Sequence, residues 1–225
     1  MVLIDRDIEA AERRAEELRR AGGECVAIEC DVADDGQVQA AFADGEQQLG
    51  MPSALVTSAG IDVGGLVHEL EPADWDRVIA VNLRGTFLAC REAIRRMLPH
   101  GGAIVCISSP LALVATGAVA AYGSSKAGVC ALVRSLAVDY ATHGIRVNAL
   151  LPGATETELM WANVPRNRVD AMRETVRQEV PLGRLAEPDE IAQAALWLVS
   201  ASASYVTGAQ LACDGGLLAR APISI

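Results

Sequence analysis

The stretch Gly102-Ala-Ile-Val-Cys-Ile-Ser-Ser109 is followed, thirteen residues after its last serine, by Tyr122-Gly-Ser-Ser-Lys126. The first stretch is a short apolar run, typical of a buried strand, that ends in two serines. The second lies in a segment, residues 120–142, that predicts a helix. Because Tyr122 and Lys126 are four residues apart, we expect them on one face of that helix, close to the end of the preceding strand.

This spacing favours proton-transfer chemistry. A cation beside a phenol favours the phenolate, so Lys126 is expected to lower the pKa of Tyr122 from about 10 toward neutrality. Tyr122 would then donate or accept a proton near neutral pH, and the Ser109 hydroxyl could hold the oxygen being protonated. Taken alone, Tyr-x-x-x-Lys is equally consistent with a chance surface pair, so the surrounding sequence decides between the two interpretations.

Strand and helix patterns alternate along the whole chain. This alternation predicts an α/β fold, a doubly wound and mostly parallel sheet with helices on both faces, in three layers. Its length of 225 residues fits one domain, residues 1–225. Strands are predicted at residues 2–4, 25–28, 54–57, 102–107, 145–150 and 209–213, and helices at residues 7–20, 34–49, 71–98, 120–142 and 187–200.

Composition argues against several classes of partner. Apolar residues make up 51% of the chain, yet no uninterrupted run reaches the roughly 18 residues of a membrane span, so no membrane partner is expected. A net charge of −10 argues against nucleic acid binding. The six cysteines show neither Cys-x-x-Cys pairs nor metal-ligand spacing with histidine, which favours buried thiols in a reducing cytoplasm and no metal site.

Ligands of a doubly wound sheet bind at the carboxyl ends of its strands. Candidate binding residues follow five of the predicted strands: Asp5, Asp31, Ser58-Ala-Gly60, Ser109 and Pro152-Gly153. With these motifs in this order, residues 1–218 resemble the short-chain dehydrogenase/reductase family. The resemblance implies a Rossmann-like, cytoplasmic oxidoreductase that interconverts a secondary alcohol and a ketone with a nicotinamide cofactor. The apolar middle of the predicted helix, residues 127–138, favours a subunit interface, so an assembly of two or four identical subunits is expected.

The resemblance also implies the roles of four catalytic residues. Tyr122 would exchange a proton with the substrate oxygen while hydride passes to or from the nicotinamide. Lys126 would hold the nicotinamide ribose and lower the pKa of Tyr122, and Ser109 would hydrogen-bond the substrate oxygen. Asn82, in Val-Asn-Leu-Arg-Gly85, would keep a bend in its helix and support a water relay.

Further residues would contact the cofactor by the same resemblance. One departure is that Thr57-Ser58 stands where the family usually has two asparagines, and hydroxyls reach less far than amides. The implied cofactor-binding residues, besides Tyr122 and Lys126, are Asp31 and Val32 at the adenine, Ser58, Ala59 and Gly60 after the third strand, and Pro152, Gly153, Thr155 and Thr157 at the nicotinamide.

Asp5 lies where the family contacts the adenosine ribose. A carboxylate there accepts hydrogen bonds from the ribose hydroxyls and repels a 2′-phosphate, which favours NAD over NADP. Arg6 is the opposing consideration, since a guanidinium could pair with that phosphate. Capping of the first helix is a further role open to Asp5 and is compatible with cofactor binding.

A second departure from the family pattern concerns the glycine-rich turn that binds pyrophosphate. The sequence as given begins at the family's second strand, and we interpret the similar-looking segment 57–66 as an ordinary turn. The first strand–helix unit would place a strand between those at residues 2–4 and 54–57, so unpaired strand edges are expected there. We expect an incomplete sequence; a cofactor-free relative and a rearranged sheet are the alternatives.

Two other functions remain open. A non-catalytic oligomeric or regulatory protein would explain a weak phosphate site, and a dehalogenase-type lyase would also lack the glycine turn, although that group carries arginine where Lys126 stands. The small-molecule substrate is the least defined feature: the expected mobile lid at residues 158–177 and the small apolar residues Val114, Ala115 and Val119 permit alicyclic, acyl or polyol compounds.

Overall fold

The computed structural model describes residues 1–220. Within this range the chain forms six strands and eight α-helices, with at least one helix between each strand and the next. The strands are β1 (Val2–Asp5), β2 (Val26–Glu29), β3 (Ala54–Thr57), β4 (Gly102–Ile107), β5 (Ile145–Pro152) and β6 (Gln210–Cys213). The helices are α1 (Ile8–Arg20), α2 (Asp35–Leu49), α3 (Pro72–Ile79), α4 (Thr86–Met97), α5 (Ala120–Tyr140), α6 (Glu158–Trp161), α7 (Val169–Glu179) and α8 (Pro188–Val199).

All strand pairs are parallel, which confirms the predicted α/β fold. The strands form two sheets, one with the order β1-β2 and one with the order β3-β4-β5-β6. Within residues 1–220, β1 and β3 therefore each have one edge without a partner strand. The break lies where the sequence predicted unpaired edges, between the strands at residues 2–4 and 54–57.

Local side-chain signals mark the starts of α1, α2 and α8. The carboxylates of Asp7 and Asp34 accept the backbone N–H groups of Ala10 and Gln37, as N-caps do. Glu187 and Glu190 form a reciprocal capping box at α8. The region 71–98, predicted as one helix, is instead α3 and α4 joined by a π-helical segment, Ala80–Gly85, which carries Asn82.

Apolar side chains cover both faces of the four-stranded sheet. On one face α4 and α5 pack on β4 and β5, with Ile94, Val129 and Val147 among the buried residues. On the other face Leu198 of α8 packs against Val105 and Leu150. The predicted three layers are therefore present, and their helices hold the carboxyl ends of β4 and β5 in fixed positions.

The two-stranded sheet is attached through α2 and α4. Ile28 of β2 packs with Val38 and Ala41 of α2 and with Leu88 of α4. Through this cluster the β1-β2 sheet packs against α4, the helix that also covers β4. Among residues 1–220, no helix combines the length and apolar character that crossing a bilayer requires.

Candidate active site

The end of β4 and the start of α5 bring the predicted serine, tyrosine and lysine together. Ser109 follows β4, and the Lys126 Nζ lies 5.5 Å from the centroid of the Tyr122 ring. The same Nζ donates a hydrogen bond of 3.0 Å to the carbonyl of Ile107, the last residue of β4. The spacing in the sequence thus correctly indicated a tyrosine and a lysine on one helix, against the end of the strand.

The predicted lowering of the Tyr122 pKa is wrong for the chain by itself. Burial raises the pKa of Tyr122, a hydrogen bond with Ser109 opposes this effect, and the negative charge of Asp62 raises the pKa further. Desolvation of the phenolate is the largest effect because a buried anion loses its hydration, and it outweighs the Ser109 hydrogen bond. At neutral pH the phenol is protonated, which is the form that donates a proton to a carbonyl oxygen.

Lys126 is itself perturbed by burial. Its side chain belongs to a residue only 4% exposed, and burial lowers the pKa of Lys126 to about 8, with the Cys106 and Cys130 thiols opposing the shift. The ammonium form therefore predominates at neutral pH. Since an ammonium has three donors and Ile107 accepts one of them, the other two can serve a ligand.

Asn82 connects the loop after β3 to α5. Its Oδ1 accepts the Ile61 N–H at 2.8 Å, and its Nδ2 donates to the Ile61 carbonyl at 2.9 Å and to the Ser125 Oγ at 3.0 Å. Ser125 in turn donates to the Tyr122 carbonyl at 2.7 Å. π-Helical turns are frequent at functional sites, and here the turn holds a fully buried amide that ties the loop to the tyrosine.

Sequence reasoning gave Ser125 no role, although it lies inside the Tyr122–Lys126 motif. A serine three residues after a helical tyrosine can bond back to that tyrosine's carbonyl, as Ser125 does. That local bond could have been anticipated from the sequence. The bond from Asn82, 43 residues away, could not.

The predicted adenine-side residues lie at or just beyond the carboxyl ends of the two strands of the two-stranded sheet. Asp5 is exposed at the end of β1, where its Oδ1 accepts the Asp7 N–H at 2.9 Å. The Asp31 Oδ1 accepts the Ala33 N–H at 2.9 Å. Val32 packs so closely on the helical segment of Asn82 that a Cβ on Gly85 would lie 2.8 Å from its Cγ2. This contact links the two groups of predicted site residues.

Ser58, Ala59 and Gly60 lie at the carboxyl end of β3, beside the catalytic candidates. Ser58 and Ala59 are exposed. A Cβ added to Gly60 would lie 3.5 Å from both the Asn82 Oδ1 and the Lys126 Nζ. The turn therefore presents its backbone next to the lysine.

The Pro152–Thr157 loop packs against the turn after β6. Gly153 donates its N–H to the Cys213 carbonyl at 2.9 Å, and a Cβ there would lie only 2.6 Å from the Cα of Asp214, so only glycine fits. The Thr155 Oγ1 donates to the Gly153 carbonyl at 3.0 Å, and Thr157 caps α6. Hydrogen bonds within residues 152–157 and to the turn after β6 therefore fix the shape of this loop.

An ion-pair latch fixes the segment that follows this loop. We define the latch as Glu156, Trp161 and Arg173. Arg173 makes a bidentate pair with the Glu156 carboxylate at 2.6 and 2.5 Å, the Trp161 Nε1 donates to the same carboxylate at 2.7 Å, and the guanidinium lies 4.7 Å from the Trp161 ring. The latch ties α6 and α7 to the loop that holds Thr155 and Thr157.

Replacing Arg173 by alanine is expected to loosen the predicted lid. Removing both charge-assisted hydrogen bonds should make protease cleavage within residues 158–179 about tenfold faster. The matched control is Arg177→Ala, because Arg177 only approaches the exposed Glu174 at 3.7 Å. Cleavage sites and rates are read by mass spectrometry, and equal lid cleavage in the two variants would contradict a latch.

The small apolar residues predicted to lie near the substrate line a groove that does not include Tyr122. Val114, Ala115 and Val119 border a groove of about 560 Å³, together with Gly123 and Ala127 of α5. Neither Ser109 nor Tyr122 lines it. The groove therefore lies beside the candidate active site and on the outer face of α5.

Comparison with known proteins places the chain in a family. Residues 1–218 match the family profile described as enoyl-(acyl carrier protein) reductase. The chain belongs to the short-chain dehydrogenase/reductase family. It is 41% identical over 220 residues to the cis-4-hydroxycyclohexanecarboxylate dehydrogenase of Sinomonas cyclohexanicum, covering 97% of this chain and 86% of that protein. It is 39% identical over 221 residues to the inactive 2-(S)-hydroxypropyl-CoM dehydrogenase 2 of Xanthobacter autotrophicus, covering 97% of this chain and 95% of that protein.

A solved structure of this family superposes closely. The gluconate 5-dehydrogenase of Burkholderia cenocepacia, solved in complex with NADP and tartrate, is 34% identical, with a TM-score of 0.91 over 98% of this chain and 86% of that one. The Rossmann-like short-chain dehydrogenase/reductase fold expected from the sequence is thereby confirmed.

Proposed function

We propose that this short-chain dehydrogenase/reductase interconverts a secondary alcohol and a ketone with a nicotinamide cofactor. The observation that carries the proposal is the convergence of Ser109, Tyr122 and Lys126 at the end of β4, with Asn82 bonded to the helix that holds the last two. A proton donor, a hydroxyl for the substrate oxygen and a buried cation are the groups that carbonyl reduction needs.

The residues divide the proton chemistry among them. When bound, the nicotinamide supplies or accepts the hydride. In reduction Tyr122 donates the phenol proton to the carbonyl oxygen while Ser109 hydrogen-bonds that oxygen. The Lys126 ammonium then stabilises the phenolate, and in oxidation the phenolate takes the alcohol proton. Asn82 holds the loop after β3 against the turn of α5 that carries Tyr122.

The residues present fit the nicotinamide end of the cofactor. Two ammonium protons of Lys126 are available for ribose hydroxyls, and Gly60 lies beside that ammonium, since a Cβ added to it would be 3.5 Å from the Lys126 Nζ. Segment 57–66 supplies no phosphate-binding helix N-terminus, since α3 begins only at Pro72. We propose that the cofactor is held by Lys126 and Tyr122, by Asp31, Val32, Ser58, Ala59 and Gly60, and by Pro152, Gly153, Thr155 and Thr157.

We also propose that the chain acts as one domain, residues 1–225, in a homo-oligomer of two or four subunits. Support comes from α5, whose inner residues Val129 and Val133 are fully buried while Val138 is 79% exposed. A helix that is apolar on several faces favours a second packing partner.

The direct test is a panel of ketones and alcohols assayed with NADH, NADPH and their oxidised forms, followed by nicotinamide absorbance. Oxidation or reduction of a secondary alcohol–ketone pair is expected, and tight cofactor binding should accompany it. A protein that binds neither cofactor and turns over no member of the panel would contradict the proposal.

We propose NAD as the preferred cofactor, with NADP weaker, because Asp5 places a carboxylate at the exposed end of β1. Asp5→Asn should reduce the preference for NADH over NADPH about tenfold, the value of a charge-assisted hydrogen bond. Dissociation constants are measured by nicotinamide fluorescence. Glu29→Gln, the partner of Asp5 across the β1-β2 register, is the control. Equal or tighter NADPH binding by the unaltered protein would contradict the proposed preference.

A further inference from the structure

Ser125 lies inside the Tyr122–Lys126 motif, yet the proposed proton transfer does not use it. The residue is fully buried near the start of α5. Its Oγ donates a hydrogen bond of 2.7 Å to the Tyr122 carbonyl and accepts one of 3.0 Å from the Asn82 Nδ2. One hydroxyl therefore bonds both to the backbone of the proposed proton donor and to the amide of the π-helical segment.

The loop after β3 sets the direction of these hydrogen bonds. Ile61 presents both its N–H and its carbonyl to the Asn82 side chain, at 2.8 and 2.9 Å, so the amide oxygen must face the N–H and the amide nitrogen the carbonyl. The second N–H of that amide then meets Ser125, whose Oγ accepts it and directs its single hydroxyl proton at the Tyr122 carbonyl. Every polar hydrogen of these two side chains therefore has a partner.

Close packing brings the π-helical segment within reach of this hydroxyl. Gly128 lies one turn beyond Ser125 on the same face of α5, and a Cβ added to it would lie 2.7 Å from the Leu83 Cδ2. Leu83 directly follows Asn82, so the two segments meet at adjacent contacts along their length. Because Ser125 and Asn82 are both fully buried, an Asn82 N–H that lost its acceptor would have no bulk water to bond to.

We propose that Ser125 is a positioning residue for the proton transfer. It transmits the fixed orientation of the Asn82 amide to the turn of α5 that carries Tyr122, and so sets the position of the phenol. This inference rests on the proposed alcohol–ketone chemistry and adds to it a residue that acts through Tyr122. Without the hydroxyl, the Tyr122 carbonyl loses its anchor, and a misplacement of about 1 Å at a reacting group can cost about 100-fold in rate.

Ser125→Ala is expected to lower kcat about 10–100-fold with a much smaller change in KM, because the buried Ser125 side chain cannot reach a bound substrate. The substrate is the ketone that the unaltered protein reduces fastest in the panel of ketones and alcohols. Ser135→Ala is the matched control. Ser135 lies on the same helix and its Oγ also donates to a helix carbonyl, that of Ala131 at 3.4 Å, but the residue is exposed, so kcat should stay unchanged.

A double-mutant cycle with Asn82→Ala tests whether Ser125 acts through the amide. Both single changes break the bond between the two side chains, so the double variant should lose little more rate than the slower single variant. Losses that multiply would show two independent effects and would overturn the inference. Circular dichroism and urea midpoints confirm that each variant is folded under the assay conditions.

Fluorine NMR of protein labelled with 3-fluorotyrosine reports on Tyr122 without turnover. The chain has three tyrosines, and Tyr122→Phe identifies the resonance of interest. That resonance should shift in Ser125→Ala and stay in place in Ser135→Ala. A shift without turnover by the unaltered protein would support the positioning of Tyr122 and contradict the proposed reaction. An unmoved Tyr122 resonance would overturn the inference, as would an unchanged kcat in a protein that reduces the ketone, and neither result contradicts the proposed reaction.

Discussion

Tyr122→Phe is expected to lower kcat for ketone reduction by about 10²–10⁴-fold, the usual contribution of a positioned general acid. Phenylalanine keeps the ring beside Lys126 and removes only the hydroxyl that transfers the proton. The unaltered phenol is protonated at neutral pH and so holds the proton that reduction requires. The loss should therefore be much larger in kcat than in the dissociation constant of the cofactor, because Lys126 and the other proposed cofactor contacts remain when the Tyr122 hydroxyl is removed.

A second tyrosine on the same helix provides the control. Tyr140 packs at the far end of α5 against the core, near His143, so Tyr140→Phe should leave kcat unchanged. Circular dichroism and urea midpoints of the two variants show whether the fold persists. Undiminished turnover by a correctly folded Tyr122→Phe protein would rule out the proposed proton transfer.

The sequence predicted best what depends on neighbours along the chain. The helix starts at Asp7, Asp34 and Glu187 follow from side chains that bond to backbone groups within three residues. The placement of Tyr122 and Lys126 follows from one helical turn. Such contacts need no knowledge of the remaining fold, so the pattern alone was sufficient.

The parts that the sequence did not predict depend on distant segments. The raised pKa of Tyr122 comes from burial and from Asp62, which is 60 residues earlier in the chain. The bond between Asn82 and Ser125 spans 43 residues. The hydrogen bond from Asn163 to the Asp62 carboxylate spans 101 residues, and the segment carrying Asp62 was interpreted as an ordinary turn. Each effect requires the three-dimensional proximity that only the folded chain reveals.

The buried ion network of α4 combines contacts between neighbours in the sequence with a contact between distant segments. Glu92 has a side chain only 5% exposed, and it accepts hydrogen bonds from Arg95 at 2.7 Å and Arg96 at 2.8 Å. These spacings of three and four residues are visible in the sequence. The bond of 2.9 Å from Arg96 to Glu46 of α2 is not, and it connects the helix under the two-stranded sheet to the helix under β4.

Glu92→Gln is therefore expected to lower the free energy of unfolding by about 3 kcal/mol, as does removing one partner of a buried ion pair. The figure is at the low end of that range because Arg95 is largely exposed and solvent screens its share. The loss arises because Arg96, only 14% exposed, keeps its charge after Glu92 is neutralised and is left with the partly exposed Glu46 as its carboxylate partner. Urea denaturation gives the change from the midpoint at constant slope.

The control for this change is Glu17→Gln on α1, where Glu17 pairs with Arg14 and both side chains are at least 60% exposed. Its urea midpoint should stay within the scatter of replicate measurements, because water solvates both charges when the pair is broken. If both variants shifted the midpoint equally, burial would not explain the effect. If only Glu92→Gln shifted it, the attachment of the β1-β2 sheet would rest in part on this network. Protease cleavage within residues 1–34 should then increase in that variant alone.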